Sequence, residues 1–332
     1  MRMKFLPQTA APPCGDAGLY VDIVGEGRGL LFDLGYAPRL PTRLLRRAQA
    51  VFVTHTHLDH FVSAAQFIRL SITRGEPLHL WGPPGFIGNV DGLFRAFTWN
   101  VSEDYPLAVT AHEYDGAWVR SADFSARDRF VLSNRRRRKA GRALIEDPSL
   151  TLRAAVLDHG TPVLAYRLDE KTHININKDA LQRLGYSPGG WIQNLKEAVL
   201  SGVRSSTPVE TPLGPRPFGR LREELVILTE GQSIGYVVDF AATRENLSRA
   251  AALLKGVHLL YIETSFEASE ARRARERNHL TTTQAGRLAR RCGAKKVIPL
   301  HLSPKYLGQE KRLYEEVQAA FEGKKDNETN IR

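Results

Sequence analysis

Cysteine is scarce in this chain, with only Cys14 and Cys292 among 332 residues. A secreted scaffold held by disulfides is therefore excluded, and the low count is typical of a reducing compartment. The sequence also lacks any apolar run near the roughly 18 residues that a membrane-spanning helix needs. The apolar stretch near the N-terminus stops at Pro7, too early for a signal peptide. These absences predict a cytoplasmic protein with no membrane partner.

Acidic residues are outnumbered in the sequence. The chain has 36 Asp and Glu against 47 Lys and Arg, which gives a net charge of +11. An excess of this size favours a polyanionic partner such as nucleic acid. A basic proteome or a need for solubility produces the same charge, so charge alone leaves both interpretations open. Apolar residues at 42% and charged residues at 25% exclude a disordered chain, a coiled coil and a collagen-like fibre.

Short β-type runs alternate with helical stretches along the chain. Predicted strands at Leu19–Val24 and Leu30–Leu34 flank a glycine cluster at 25–29. Because a strand follows this cluster rather than a helix, a hairpin turn is favoured over a phosphate-binding loop. A buried strand at Ala50–Val53 precedes a predicted helix at Phe61–Ile72. The alternation predicts an α/β fold with its sheet sandwiched by helices.

One segment, residues 172–222, differs in character from the rest. It contains two short helical patterns, Lys178–Leu184 and Trp191–Val199, and then a loop rich in Ser, Pro and Gly at Ser201–Gly219. The segment interrupts the run of strands, so the sequence predicts a small helical arm inserted into the main fold.

The strongest chemical signal is the hexapeptide His55-Thr56-His57-Leu58-Asp59-His60. It follows a strand and precedes a helix, where a turn aims several side chains at one point. Imidazole suits zinc, and a carboxylate completes one site or shares a second. The alternative is a histidine-rich turn on the surface, for which the spacing of three imidazoles and a carboxylate is unusual.

One hexapeptide does not complete two tetrahedral metal sites, so further ligands are expected downstream. His159 follows the predicted strand Leu152–Leu157, and Asp239 follows Ile234–Val238. His301 follows a third predicted strand at 297–300. In α/β folds, ligands collect at the carboxyl ends of strands. These three residues and the hexapeptide therefore form one candidate metal centre.

This set resembles the metallo-β-lactamase superfamily, and within it the ribonuclease Z family of transfer-RNA 3′-end processing enzymes. Residues 156–168 resemble the family's third histidine motif, and residues 236–247 resemble its aspartate segment. Residues 279–306 resemble its C-terminal signature, and residues 177–190 resemble its RNA-gripping exosite. The resemblance implies a four-layered αββα sandwich, with residues 1–332 as a single hydrolase domain and 172–222 as the exosite-like arm within it.

The resemblance also implies a cofactor and a ligand set. Two Zn²⁺ ions per chain are expected, with Mn²⁺ or Fe²⁺ as alternatives. The implied ligands are His55, His57 and His159 for one ion, Asp59, His60 and His301 for the other, and Asp239 bridging them.

The implied reaction is endonucleolytic hydrolysis of precursor transfer RNA at its 3′ end by a hydroxide held between two metals. Asp59 is expected to orient that hydroxide or take its proton. His279 is expected to protonate the departing oxygen, with Glu263 holding its ring. For His279 the alternative is a residue next to a helix cap. The resemblance further implies RNA as a partner and is compatible with a homodimer.

Departures from the family pattern keep a second interpretation open. Residues 34–38 replace the family's Cys-Gly-Glu-Gly-Thr-Gln run, Leu58 stands at a glycine position, and Ile262 stands at a histidine position. The second interpretation is a metallohydrolase on the same fold that acts on a cyclic nucleotide, a sulfate ester or a lactone. A non-catalytic RNA-binding protein is a third, which the full ligand set disfavours because structural metal sites are normally closed and mononuclear.

The densest basic run is residues 135–139, Arg-Arg-Arg-Arg-Lys, followed closely by Arg142. Such a run neutralises backbone phosphates when nucleic acid is bound. The alternative is a solvated loop.

Overall fold

The computed structural model describes residues 4–171, 173–229 and 231–324. Residue 172, the first of the predicted arm, lies outside the described residues. Within the described ranges, no helix combines the length and apolar character needed to cross a membrane.

The strands of the described residues, in chain order, are β1 (Phe5–Thr9), β2 (Leu19–Ile23), β3 (Arg28–Phe32), β4 (Ala48–Phe52), β5 (Leu78–Gly82), β6 (Ala108–Tyr114), β7 (Trp118–Ser125), β8 (Ser133–Lys139), β9 (Ile145–Glu146), β10 (Leu150–Asp158), β11 (Pro162–Glu170), β12 (His173–Ile176), β13 (Pro208–Val209), β14 (Arg216–Pro217), β15 (Val226–Thr229), β16 (Ser233–Val237), β17 (Leu259–Glu263) and β18 (Lys296–Leu300).

The helices of the described residues are α1 (Thr42–Arg47), α2 (Leu58–Phe61), α3 (Ala64–Ser71), α4 (Phe86–Arg95), α5 (Lys178–Arg183), α6 (Trp191–Ser201), α7 (Phe218–Leu225), α8 (Arg244–Leu253), α9 (Ala271–Glu276), α10 (Thr282–Cys292) and α11 (Glu310–Glu322).

Two sheets form the centre of the fold. The first has eight strands in the order β1 to β8, and the second has six in the order β18-β17-β16-β11-β10-β9. Strands β3, β4 and β5 run parallel, as do β16, β17 and β18. Parallel neighbours end at the same sheet edge, so the segments that follow them meet there.

Aromatic side chains fill the space between the sheets. Phe32 and Phe52 of the first sheet meet Tyr166 and Tyr236 of the second, and ring centroids of Phe32 lie 5.3–5.7 Å from the other three. All four side chains are almost fully buried. Large buried rings contribute strongly to core stability and prefer such tilted contacts.

Helices cover both outer faces. Apolar residues of α1, α3 and α4 pack on the first sheet, and those of α8, α10 and α11 pack on the second. The order of layers is therefore helix, sheet, sheet, helix. This arrangement confirms the predicted αββα sandwich.

Residues 170–231 form a separate compact unit. Its core contains Leu181, Trp191, Leu195, Phe218 and Leu221, which lie on three helices. Two small antiparallel sheets, β12 with β15 and β13 with β14, complete it. Most of the predicted arm, 173–222, falls within this unit.

Several local predictions are wrong in detail. The predicted helix Phe61–Ile72 corresponds to α3 and begins too early, at the last residue of α2, and the predicted loop Ser201–Gly219 contains β13, β14 and the start of α7. The basic run at 135–139, for which a solvated loop is one of two interpretations, is part of strand β8. The hairpin around Gly25–Gly29 is confirmed, because β2 and β3 pair antiparallel across it.

Candidate metal centre and active site

The histidine hexapeptide lies at the carboxyl edge of the first sheet. Strand β4 ends at Phe52, His55 follows after two buried residues, and α2 begins at Leu58. The loop after β3 packs tightly against this turn. A Cβ atom on Gly35 would lie 2.3 Å from the carbonyl oxygen of Asp59, so only glycine fits there.

The other predicted ligands follow strands of the second sheet. His159 comes directly after β10, Asp239 lies just beyond β16, and His301 comes directly after β18. Asp239 and His301 have φ angles of 52° and 53°. Left-handed backbone is costly for residues with a Cβ, and it concentrates at functional sites.

All seven predicted ligands come together in two groups that share Asp239. One group is His55, His57, His159 and Asp239; the other is Asp59, His60, Asp239 and His301. Within each group one ligand atom per residue lies within 4.8 Å of all the others. A shared carboxylate between two imidazole-rich groups is a suitable donor set for two adjacent divalent cations.

Unpaired buried atoms support metal binding at this centre. His55 Nε2 and Asp239 Oδ1 are buried and make no hydrogen bond with the described residues. Asp239 Oδ1 lies 3.2 Å from His301 Nε2, but outside hydrogen-bond geometry. Buried polar atoms are nearly always paired, so such a cluster of exceptions indicates that a cation completes the site. The donor set therefore fits a metal cofactor.

Burial and neighbouring imidazoles keep His55 neutral. Burial first, and then His60, lower the pKa of His55 to about 2. Metal ligation requires a neutral imidazole. His55 is thus in the correct protonation state to donate a lone pair at neutral pH.

Asp33 orients His60 from behind. The Asp33 carboxylate is buried and lies 3.0 Å from His60 Nδ1. It also accepts hydrogen bonds from the Thr54 backbone N–H at 2.7 Å and from the Tyr236 hydroxyl at 2.9 Å. A carboxylate behind a ligating histidine fixes the tautomer and the ring orientation. His60 Nε2 then faces Asp239, at 3.0 Å.

The contacts of His60 with Asp33 and Asp239 also determine its protonation state. Burial disfavours its charged form, but Asp239 and Asp33 outweigh burial and raise the pKa of His60 well above its usual value. Without a cation, a proton on His60 therefore compensates the two buried carboxylates.

His159 is oriented by a backbone group. Its Nδ1 lies 2.9 Å from the carbonyl oxygen of Asn278. The nitrogen must donate there, which leaves the lone pair on Nε2. Asn278 has a φ of 58°, and this conformation belongs to the turn that leads into His279.

His279 and Glu263 form a hydrogen-bonded pair next to Asp239. His279 Nδ1 lies 2.9 Å from Glu263 Oε2 and 3.7 Å from Asp239 Oδ1. Glu263 is fully buried, and it also accepts hydrogen bonds from Phe240 N, Leu280 N and the Ser265 hydroxyl. These contacts fix the carboxylate and thereby the imidazole ring.

The His279 imidazole is biased toward its protonated form. Burial opposes this charge, but Glu263 and then Asp239 raise the pKa of His279 to about 9. His279 lies just before α10, which begins three residues later and has a capping box between Thr281 and Gln284. A charged imidazole at the edge of a metal centre is suited to donate a proton.

Sequence reasoning missed two orienting groups, Tyr236 and the Asn278 carbonyl. A backbone carbonyl has no signature in the sequence, and Tyr236 reads as an ordinary core residue. Asp33 directly follows β3, and its carboxylate lies against His60.

A comparison of the chain with protein-family models finds no match. The chain is 32% identical to ribonuclease Z of Deinococcus radiodurans over 305 residues, covering 89% of this chain and 88% of the relative. It is 24% identical to ribonuclease Z of Enterococcus faecalis, covering 97% and 93% of the two chains.

Solved structures agree in fold. The metallo-beta-lactamase fold protein YhfI from Bacillus subtilis matches with a TM-score of 0.54 and 14% identity, covering 95% of this chain and 92% of that one. The short form of human tRNase Z matches with a TM-score of 0.50 and 16% identity, covering 92% and 93%. Together with the two-sheet fold and the shared-aspartate centre, the 32% identity over most of both chains shows that this chain belongs to the ribonuclease Z family.

Proposed function

We propose that this chain is a metal-dependent endoribonuclease that cleaves precursor transfer RNA at its 3′ end, using two Zn²⁺ ions. The observation that carries the proposal is the pair of ligand groups sharing Asp239, with the His279–Glu263 pair beside them. The similarity to curated ribonucleases supports RNA as the substrate. It does not favour the alternative of a cyclic nucleotide, sulfate ester or lactone.

The ligands of the proposed ions are the predicted ones. His55, His57 and His159 would hold one ion, Asp59, His60 and His301 would hold the other, and Asp239 would contribute to both. When bound, divalent cations at such a site supply Lewis acidity toward the phosphoryl group and make hydroxide available at neutral pH.

The chain's own residues supply orientation and proton transfer. Asp33 and the Asn278 carbonyl hold the rings of His60 and His159, so that each presents Nε2 to the centre. Glu263 holds His279 through Nδ1, so His279 Nε2 carries the proton for the departing ribose oxygen. Asp59, half-buried and 3.4 Å from His301 Nε2, is placed to orient the attacking water.

Activity with and without chelator tests this proposal. We expect purified protein to cleave precursor transfer RNA and bis-p-nitrophenyl phosphate, to leave a lactone panel intact, and to lose both activities with chelator. Elemental analysis should approach two metals per chain, with zinc the main one. Activity that survives complete metal removal, or turnover of lactones alone, would contradict it.

Two single variants test the assignment of the two groups. His57→Ala and His60→Ala should each lose chiefly one metal, because each residue belongs to only one group. The control is His79→Ala, an exposed histidine outside both groups. Loss of both metals in every variant, or loss in the control, would contradict independent ligand groups.

We also propose a cytoplasmic homodimer. Both cysteines are free thiols, as expected in a reducing compartment. Phe97, Val101 and Tyr105 are exposed apolar side chains, which is typical of an association surface. Light scattering after size-exclusion chromatography should give twice the mass of the chain, and a monomer mass would contradict the dimer.

A further inference from the structure

A cavity of about 630 Å³ lies between the two sheets, lined by strands β3 to β10. None of its lining residues belongs to the metal-ligand groups. Its floor is apolar and includes Leu30, Val119 and Leu150. Ligand pockets in proteins typically have about 300–1,000 Å³, apolar walls and a few convergent polar groups.

Three planar side chains lie next to one another along one wall. The rings of Trp81 and His112 stack, 4.1 Å apart at an angle of 20°. His79 lies edge to edge with His112, with ring centroids 5.4 Å apart and ring nitrogens 3.1 Å apart. Trp81 is buried, His112 is partly buried and His79 is exposed. The three rings therefore run from the core to the surface, where the exposed His79 ring offers a face to a further planar ring.

The two imidazoles also form a hydrogen-bonded relay. Ser121 Oγ lies 2.7 Å from His112 Nδ1, and His112 Nε2 lies 3.1 Å from His79 Nδ1. One further polar atom in the stack, the buried Trp81 Nε1, has no partner among the described residues. A purely structural core has no need of these groups, because apolar side chains fill such a space without polar atoms to satisfy.

Arginines line the polar side of the cavity. Arg28 is paired with Glu26 and Asp147, and Arg136 is paired with Asp123. Arg138 differs from them. It has only a 3.4 Å contact with the backbone oxygen of Lys139, and no carboxylate neutralises it within the described residues.

We propose that this cavity binds a nucleoside monophosphate, with its base on the exposed His79 ring beside the Trp81–His112 pair and its phosphate on Arg138. A planar side chain selects a planar ring, and guanidinium groups bind phosphate through charge-assisted hydrogen bonds. The same chemistry is found in a free nucleotide and at the end of an RNA chain. This site is separate from the metal centre and does not depend on the function proposed above.

Calorimetric titration of the full-length, metal-loaded protein tests the site, with AMP as the probe. Adenosine lacks the phosphate and inorganic phosphate lacks the ring, so both should bind at least about tenfold more weakly than AMP. Arg138→Ala should weaken AMP binding at least about tenfold, since it removes a charge-assisted contact. His79→Ala should also weaken it. Neither variant should change hydrolysis of bis-p-nitrophenyl phosphate.

Arg272→Ala is the matched control. Arg272 lies on α9, its side chain is 93% exposed, and it does not line the cavity, while Arg138 pairs with Val119 of the cavity floor. The control removes the same charge and should leave AMP binding unchanged. A second control, His57→Ala, alters the metal centre and should also retain binding.

Three results would overturn the proposal. These are no detectable binding of AMP at millimolar concentration, equal weakening by Arg272→Ala, and loss of binding in His57→Ala, which would place AMP at the metal centre. A 5′-phosphorylated trinucleotide then distinguishes the two sources. Binding tighter than AMP by about tenfold assigns the site to an RNA end, and equal or weaker binding assigns it to a free nucleotide; either result supports the cavity as a nucleotide site.

Discussion

His279 shows how a single residue is tuned by its surroundings. Its Nδ1 is held at 2.9 Å by a fully buried glutamate that three other donors also contact. The ring therefore has one free nitrogen and one orientation. This is the arrangement that general acid catalysis requires, because a positioned donor must reach the leaving atom in its protonated form.

We predict that His279→Ala lowers turnover of precursor transfer RNA by about 10²–10⁴-fold, the usual contribution of positioned proton transfer. The loss should be much smaller for bis-p-nitrophenyl phosphate, because p-nitrophenolate leaves without a proton. Metal content should stay unchanged. Steady-state kinetics on both substrates, with elemental analysis, measure this. Equal losses on both substrates, or loss of metal, would contradict the general-acid role.

The sequence predicts which side chains face the centre better than it predicts what holds them. His55, His159, Asp239 and His301 all follow β-strands, and strand ends can be recognised from hydrophobic pattern. The groups that orient these side chains cannot be recognised from the hydrophobic pattern. The carbonyl of Asn278 depends on a left-handed turn that the structure alone reveals.

At the scale of elements, β8 is the strand that the hydrophobic pattern of the sequence least predicts. All seven of its residues, Ser133–Lys139, are exposed, so no apolar alternation marks it as a strand. It forms because β7 offers a backbone edge with which it pairs antiparallel. Strand formation depends on such tertiary context more than on intrinsic preference. A charged edge strand also resists pairing with other chains.

The arginines of β8 make different contacts. Arg136 makes two hydrogen bonds to Asp123, at 2.5 and 2.7 Å. Arg135 has no ion-pair partner within the described residues, and Arg137 stacks on Trp118. Together with Gly88 of α4, Arg135 and Arg137 line a second cavity. The next residue of α4, Asn89, donates a hydrogen bond to Thr56 of the histidine hexapeptide. These two arginines therefore lie beside α4, the helix whose Asn89 contacts the histidine hexapeptide.

We predict that Arg135→Ala/Arg137→Ala flattens the slope of log affinity against log salt for precursor transfer RNA. The expected change is about 0.9 per lost duplex contact and about 0.7 per single-strand contact. Filter binding at several salt concentrations measures it. The control is Arg272→Ala/Lys311→Ala, which removes equal charge from side chains that are 93% and 92% exposed. An identical change in slope in the control would show that net charge, not β8, is responsible.

At the scale of the whole molecule, the chain combines a catalytic sandwich with an inserted unit at 170–231. Every predicted ligand lies outside that unit. Strands β11 and β16 pair antiparallel, and Asp169 is opposite Ser233. In the same register, the next pair would be Glu170 and Gln232, which can flank a two-residue turn. Replacing residues 171–231 by Asn-Gly should therefore close a β-hairpin and keep the sandwich intact.

This separation allows the predicted role of the inserted unit to be tested. If residues 172–222 grip the RNA body, their removal eliminates binding energy distant from the reacting phosphate. The KM for precursor transfer RNA should then rise strongly, while hydrolysis of bis-p-nitrophenyl phosphate and metal content stay near wild type. Circular dichroism and elemental analysis confirm that the shortened chain is folded and loaded. A folded, metal-loaded deletion variant that binds precursor transfer RNA like the full chain would refute the exosite role and place RNA recognition on the sandwich itself, with β8 as the first candidate.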